Sequence, residues 1–152
     1  MDPNYYRFVL TWAVDHPRGA VFDALVRIDE YPRWWPDYRR VTRIDEDAVA
    51  IALRSSLPYT LRLTNRFVIR DAAGGHFRLA LDGDIAGWID FAVTSRADGS
   101  TTVHITQECT ARKRLLRVFA PVARGAFAHN HALTMRRGHR GLTRLLAAGR
   151  QH

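Results

Sequence analysis

Residues 120–148 read APVARGAFAHNHALTMRRGHRGLTRLLAA. Pro121 suits the first turn of a helix, where its missing N–H costs nothing. At 100° per residue, Ala123, Phe127, His131, Thr134, Gly138, Leu142 and Leu145 share one stripe. Arg137, Arg140 and Arg144 fall on a different side, with Arg136 beside them. The spacing predicts a single helix, roughly 40 Å long at 1.5 Å per residue. A helix this long, apolar along one stripe, needs an apolar surface to lie across.

The residues upstream supply that surface. Tyr59–Arg70, His76–Leu81 and Trp88–Thr94 alternate with period two. Leu61, Leu63, Phe67 and Ile69 oppose Arg62, Thr64, Arg66 and Arg70, while Ile89, Phe91 and Val93 oppose Asp90 and Thr94. Val41–Ile44, Val49–Leu53 and Thr102–Thr110 read as further strands. Tyr5–Val14 reads as a first strand, with Tyr6, Phe8, Leu10, Trp12 and Val14 on one face. Separators such as Ala73-Gly74-Gly75 and Asp82-Gly83-Asp84 are too short for parallel crossovers, so antiparallel pairing is predicted. One wet face and one apolar face mark a sheet covered on one side. After the first strand, Asp15 is placed to N-cap a helix carrying Pro17 in its first turn. Val21, Phe22, Leu25 and Val26 follow at helical spacing, and a second short helical piece runs from Ile28 to Trp35. The expected fold is α+β, one domain over residues 1–152: strand, two short helices, six strands, long helix. A curved sheet of about seven strands wrapped around one helix is hard to fill with side chains alone, so an internal cavity is expected.

Composition narrows the function classes. With 47% hydrophobic residues the chain can bury a core, and one cysteine, Cys109, leaves no intrachain disulfide and no multi-cysteine zinc site. No apolar run reaches the roughly 18–20 residues needed to cross a bilayer. Met1-Asp2-Pro3-Asn4 has no basic or apolar leader character, so no signal peptide is expected and the default compartment is cytoplasmic. There are 23 Lys plus Arg against 15 Asp plus Glu, net +8, and ten of those cations but no carboxylate side chain follow Glu108. A basic segment of this kind suits either a solvated helix face or an anionic membrane surface met by Arg136, Arg137, Arg140 and Arg144. Nucleic acid is not expected as a partner, because the aromatics sit in strands and core rather than among the arginines.

In element order and in three stretches the sequence resembles the SRPBCC superfamily, whose helix-grip fold is shared by START domains, the birch-pollen allergen and bacterial polyketide cyclases. The stretches are Val21–Leu25 continuing through Tyr31-Pro32-Arg33-Trp34-Trp35-Pro36, then Gly87–Phe91, then Pro121 with Asn130-His131, Met135, Gly138 and Gly141-Leu142. The resemblance implies a cavity that binds a hydrophobic small molecule, lipid-like or an aromatic polyketide. It also implies, as an alternative, a polyketide cyclase/aromatase-type enzyme; the basic C-terminal segment adds a second alternative, a peripheral membrane-associated lipid-transfer protein. No acid, base and oxyanion set identifies a cyclase in this chain.

The predicted cavity wall comprises Trp35, Tyr59, Leu63, Asn65, Phe67, Phe77, Leu79, Phe91, Phe127, His131, Thr134 and Met135. Weak catalytic candidates are His131, Asn65 and Tyr59. His131 is a core histidine or, with an ordinary pKa near 6.5, a proton shuttle. Asn65, among inward leucines, bonds protein and water or presents its amide to a ligand. Gln107 is a weaker version of the same idea. Trp34 and Trp35 are consecutive, so one is expected in the core and one at the rim. His129 and His131 lie 200° apart on a helix, which argues against a metal pair. Cys109 reads as a small buried hydrophobe. No cofactor motif occurs, and the oligomeric state is left open.

Overall fold

The protein is described here by a computed structural model covering residues 4–54, 59–113 and 120–150. Arg114, Arg117, residues 55–58 and the side chains of Ala123 and Arg150 lie outside the described part. The elements run β1 (Tyr5–Val14), α1 (Arg18–Val26), a 3-10 helix (Ile28–Arg33), β2 (Tyr38–Arg43), β3 (Ala48–Leu53), β4 (Leu61–Asp71), β5 (His76–Gly83), β6 (Ile85–Ser95), β7 (Thr101–Ala111) and α2 (Ala120–Arg150). All seven strands form one curved antiparallel sheet, in the order β1-β7-β6-β5-β4-β3-β2. Each hairpin adds the next strand, and β1 joins at β7, so the first and last strands lie side by side. The α+β architecture expected from the alternating strands and the long helix is the one observed.

Two local expectations are corrected. Pro17, not Asp15, occupies the N-cap of α1, with extended backbone and no side-chain cap, because the chain stays extended through the proline. In β4 a bulge between Phe67 and Ile69 shifts the register, so Ile69 leaves the apolar face and is 38% exposed. The guanidinium of Arg70 lies 3.8 Å from the centre of the Phe67 ring near the same bulge.

The tryptophan pair is also placed differently. Both Trp34 and Trp35 are buried, rather than one in the core and one at the rim. The 3-10 helix ends at Trp34 (φ −134°), so the two side chains are not set apart by a helical turn. Both pack against α2. A Cβ on Gly138 would stand 2.5 and 2.8 Å from Trp35 ring carbons, and one on Gly141 would meet the Trp34 carbonyl. The two glycines let the helix backbone come down onto the indoles.

Asp37, just beyond the pair, completes this clamp. Arg137 donates to it through Nε and Nη2, both at 2.9 Å, and Thr134 through Oγ1 at 2.9 Å. Arg137, predicted on the solvated basic face, is therefore engaged with a buried carboxylate instead. The Trp35 indole N–H donates to the Thr134 carbonyl at 2.9 Å. At the other end of the sheet, Phe127 packs on Tyr6 with ring centres 4.5 Å apart.

Candidate functional site

The buried apolar side chains fall into two clusters. The larger joins Trp12, Tyr31, Trp35, Phe77, Leu79, Phe91, Met135 and their neighbours. The smaller joins Tyr6, Leu61, Ile85, Cys109, Ala111 and Phe127. Between them, under α2, lies a cavity whose free space measures about 70 Å³, counted as the volume open to the centre of a water molecule. Each water needs on the order of 10–15 Å³ by that measure, so there is room for a few waters or one small apolar group.

Of the twelve side chains predicted to line it, nine do. Leu63 and Asn65 come from β4, Leu79 from β5 and Phe91 from β6. Trp35 comes from the segment after the 3-10 helix, and α2 contributes Phe127, His131, Thr134 and Met135. The remaining three sit elsewhere. Phe77 is fully buried, stacked on Phe91. Phe67, next to the bulge, packs against the larger cluster outside the cavity wall. Tyr59 packs on the smaller cluster, where burial pushes its pKa up to about 12, and is separated from the cavity, so it is not a member of the site. The predicted wall left out Tyr31, Tyr38, Leu53, Leu61, Leu81, Ile85 and Ile89, gave Asn130 no place and held Gln107 only as a weaker candidate. The period-two signal could have placed Ile85 and Ile89; nothing local marks Tyr31 and Tyr38, which reach the cavity from the 3-10 segment and the edge of β2.

The polar groups are few and mostly occupied. His131 Nε2 lies 2.9 Å from Gln107 Oε1, and the Gln107 amide nitrogen faces Cys109 Sγ at 3.5 Å. An amide oxygen only accepts, so Nε2 carries the histidine proton. The imidazole stacks on Phe8 at 3.7 Å, and burial pushes its pKa down to about 4. It is therefore neutral at physiological pH, not poised between two charge states. The Tyr31 hydroxyl donates to the Leu25 carbonyl. Burial raises the pKa values of Tyr31 and Tyr38, so both keep their protons. Cys109 is buried, with its thiol pushed up to about 11. Asn65 differs: its amide oxygen is buried with no hydrogen-bond donor among the described residues. Among the described residues no three His, Cys, Asp or Glu gather as a metal site would require.

His131 and Met135 also face a shallow outer groove between β1 and α2, bordered by Arg7, Phe8, Leu10 and Arg136. These two side chains are the partition between the cavity and the outside on that side.

No family model matches the sequence, and no curated protein matches it. Solved structures do match in shape. An aromatase/cyclase, Zhui, from Streptomyces sp. R1128 superposes with a TM-score of 0.77 at 13% identity, over 91% of this chain and 92% of that one. A Thermus thermophilus protein gives 0.81 at 12% identity, over 94% and 99%. A START superfamily protein from Mycobacterium smegmatis gives 0.65 at 11% identity, over 85% and 93%. At these identities the likeness shows the fold alone, and with the seven-stranded sheet gripping α2 it establishes that this chain has the helix-grip fold.

Proposed function

We propose that the protein binds a hydrophobic small molecule, lipid-like or aromatic, between the sheet and α2. The observation that carries this reading is the divided core: two buried apolar clusters, bridged by Leu53 and Leu63, border a common free space. Sparse polar groups in an apolar wall are the usual make-up of a small-molecule site. A domain of 1–152 working in the cytoplasm is the setting in which the reading is framed, and no described helix is long and apolar enough to cross a membrane. The test is a titration with small aromatic hydrocarbons followed by indole fluorescence, since Trp35 borders the cavity. Saturable binding that Leu63→Trp or Met135→Trp abolishes, in variants that remain folded, supports the reading. Binding that survives both filled variants overturns it.

Binding is favoured over a cyclase reaction because His131, the best placed candidate base, is neutral, stacked and committed through Nε2 to Gln107. A second reading, docking on an anionic membrane, is favoured by the charge pairing. Arg43, Arg66, Arg70, Arg78 and Arg112 each hold a carboxylate on the sheet side. Arg136, Arg140 and Arg144, on one stripe of α2, have none among the described residues. Co-sedimentation with anionic but not neutral vesicles, weakened by salt and by glutamine at these three positions, is the expected result. Equal binding to both vesicle types refutes it.

A further inference from the structure

We infer that the ligand of this cavity is a neutral molecule carrying a hydroxyl group, and that Asn65 selects it. The inference rests on the cavity reading above and narrows it to a class.

Two observations on the wall lead there. The first is that, among the described residues, no Asp, Glu, Lys or Arg lines the cavity. Asp37, which holds the wall residue Thr134, is itself bound to Arg137. An ionised ligand would leave water for a place that offers its charge no partner, at a cost of several kcal/mol in general. The ligand is therefore uncharged.

The second is Asn65 itself. It sits in the middle of β4, 4% exposed, with Leu63 and Phe67 on either side along the strand. Across the sheet its neighbours are Val49 on β3 and Leu81 on β5. These strand neighbours are apolar; Asp29, Arg43, Glu46 and Asp47 lie around a small separate pocket that Asn65 also borders, and none of them is bonded to its amide oxygen. The amide oxygen is buried without a donor among the described residues. Most polar groups elsewhere on the wall are taken: His131 by Gln107, Thr134 by Asp37, the Tyr31 hydroxyl by the Leu25 carbonyl, the Trp35 N–H by the Thr134 carbonyl. A leucine at position 65 would continue the apolar face and fill the same volume. A buried amide oxygen needs a donor, from a cavity water or from the ligand that displaces it, and a ligand without one leaves the oxygen unpaired. A site built to hydrogen-bond a hydroxyl discriminates strongly against the analogue lacking it. An amide can turn either its oxygen or its nitrogen to the cavity. A hydroxyl satisfies both, because it donates and accepts; a carbonyl or ether only accepts.

The experiment uses isosteric probes, p-cresol and p-xylene, with 4-methylbenzoate as the charged control. Dissociation constants are measured for the wild type and Asn65→Leu, alongside the urea midpoint of each empty protein. The expected result has three parts. Leucine lowers the cresol-to-xylene preference at least tenfold while xylene binding is kept or tightened. It raises the unfolding midpoint. The benzoate fails to compete in either protein. If leucine disturbs folding, Asn65→Val gives the same readout. An unchanged cresol-to-xylene ratio overturns the role of Asn65, and tight benzoate binding overturns neutrality, in both cases with the cavity reading intact. Failure of all three probes to bind the wild type overturns the cavity reading on which the inference depends.

Discussion

Replacing Gly138 by alanine sets two known effects against each other. In a helix interior the change gains roughly 1 kcal/mol of propensity. At Gly138 the new Cβ would stand 2.5 and 2.8 Å from carbons of the Trp35 ring, well inside contact distance. Trp35 is 1% exposed and tied through its indole N–H to the Thr134 carbonyl, so it has little freedom to move aside. Overpacking of this kind costs about 1–3 kcal/mol. Several ring carbons stand well under 3.0 Å, which puts the cost at the upper end, about 2–3 kcal/mol, and the net loss at about 1–2 kcal/mol. Gly125, on the same helix, has nothing within 4 Å of a built Cβ. Gly125→Ala should therefore gain up to about 1 kcal/mol. Urea unfolding of the two variants, followed by circular dichroism, should separate them by about 2–3 kcal/mol with opposite signs relative to wild type. Trp35→Phe should cost less in the Gly138→Ala background than alone, because the smaller ring makes room for the methyl. Gly138→Ala matching or exceeding Gly125→Ala in stability would refute the close-packing account, and additive double-mutant energies would refute the assigned contact.

Four further outcomes are expected. Arg137→Gln leaves the Asp37 carboxylate, itself 1% exposed, without its guanidinium, and should cost about 2–3 kcal/mol, below the usual 3–5 for a buried pair because Arg137 is partly solvated; Asp37→Asn in the same background should recover part of it in urea unfolding. His131 has a folded pKa near 4 against about 6.5 unfolded, so the unfolded chain binds the proton first as pH falls. Stability should then drop between pH 6.5 and 4 by up to about 3 kcal/mol relative to His131→Gln, and a flat difference curve between the two proteins would contradict it. Cys109, buried with a raised thiol pKa, should resist a thiol reagent at pH 8 in the native protein and react at once in denaturant. Hydrogen exchange should slow on ligand binding most around 127–131 of α2 and least around 134–142, which the tryptophan and Asp37 contacts already hold; the reverse pattern would place the ligand elsewhere.

The strands and the long helix were legible because each repeats one period over many residues. A period-two run such as Leu61–Phe67 fails only where the backbone itself breaks step, as at the Val68 bulge that turned Ile69 outward. The site was readable to the extent that it follows those periods. Asn65, Leu79, Phe91, His131 and Met135 face the cavity because their elements point them there. Tyr31 and Tyr38 were missed since they arrive from segments with no period to extrapolate. Arg137 shows a different kind of failure. Helical phase put it beside Arg140, but its partner Asp37 is 100 residues away in sequence, and pairings over such distances leave no local trace. The same holds for the bond from His131 to Gln107, which decides the state of the imidazole.

Why one helix carries both a clamp and a cavity follows from residue size along its buried stripe. From Gly138 to Leu142 the stripe is small or aliphatic, so the backbone sits directly on Trp34 and Trp35. Going back towards the N-terminus, Thr134, His131 and Phe127 are bulkier or polar and are held by Asp37, Gln107 and Tyr6. Each of these contacts ties the helix to a different part of the sheet or its approach, at a fixed distance. At its C-terminal half the helix backbone thus meets the tryptophan pair directly, while further back these three side chains span the distance to their partners. Phe127, His131 and Thr134 also border the free space, so the side chains that fix the helix are themselves part of the cavity wall. Truncating one of them, as in Phe127→Ala, removes a contact to the sheet together with wall volume and should cost more stability than trimming Leu79, which removes wall volume alone.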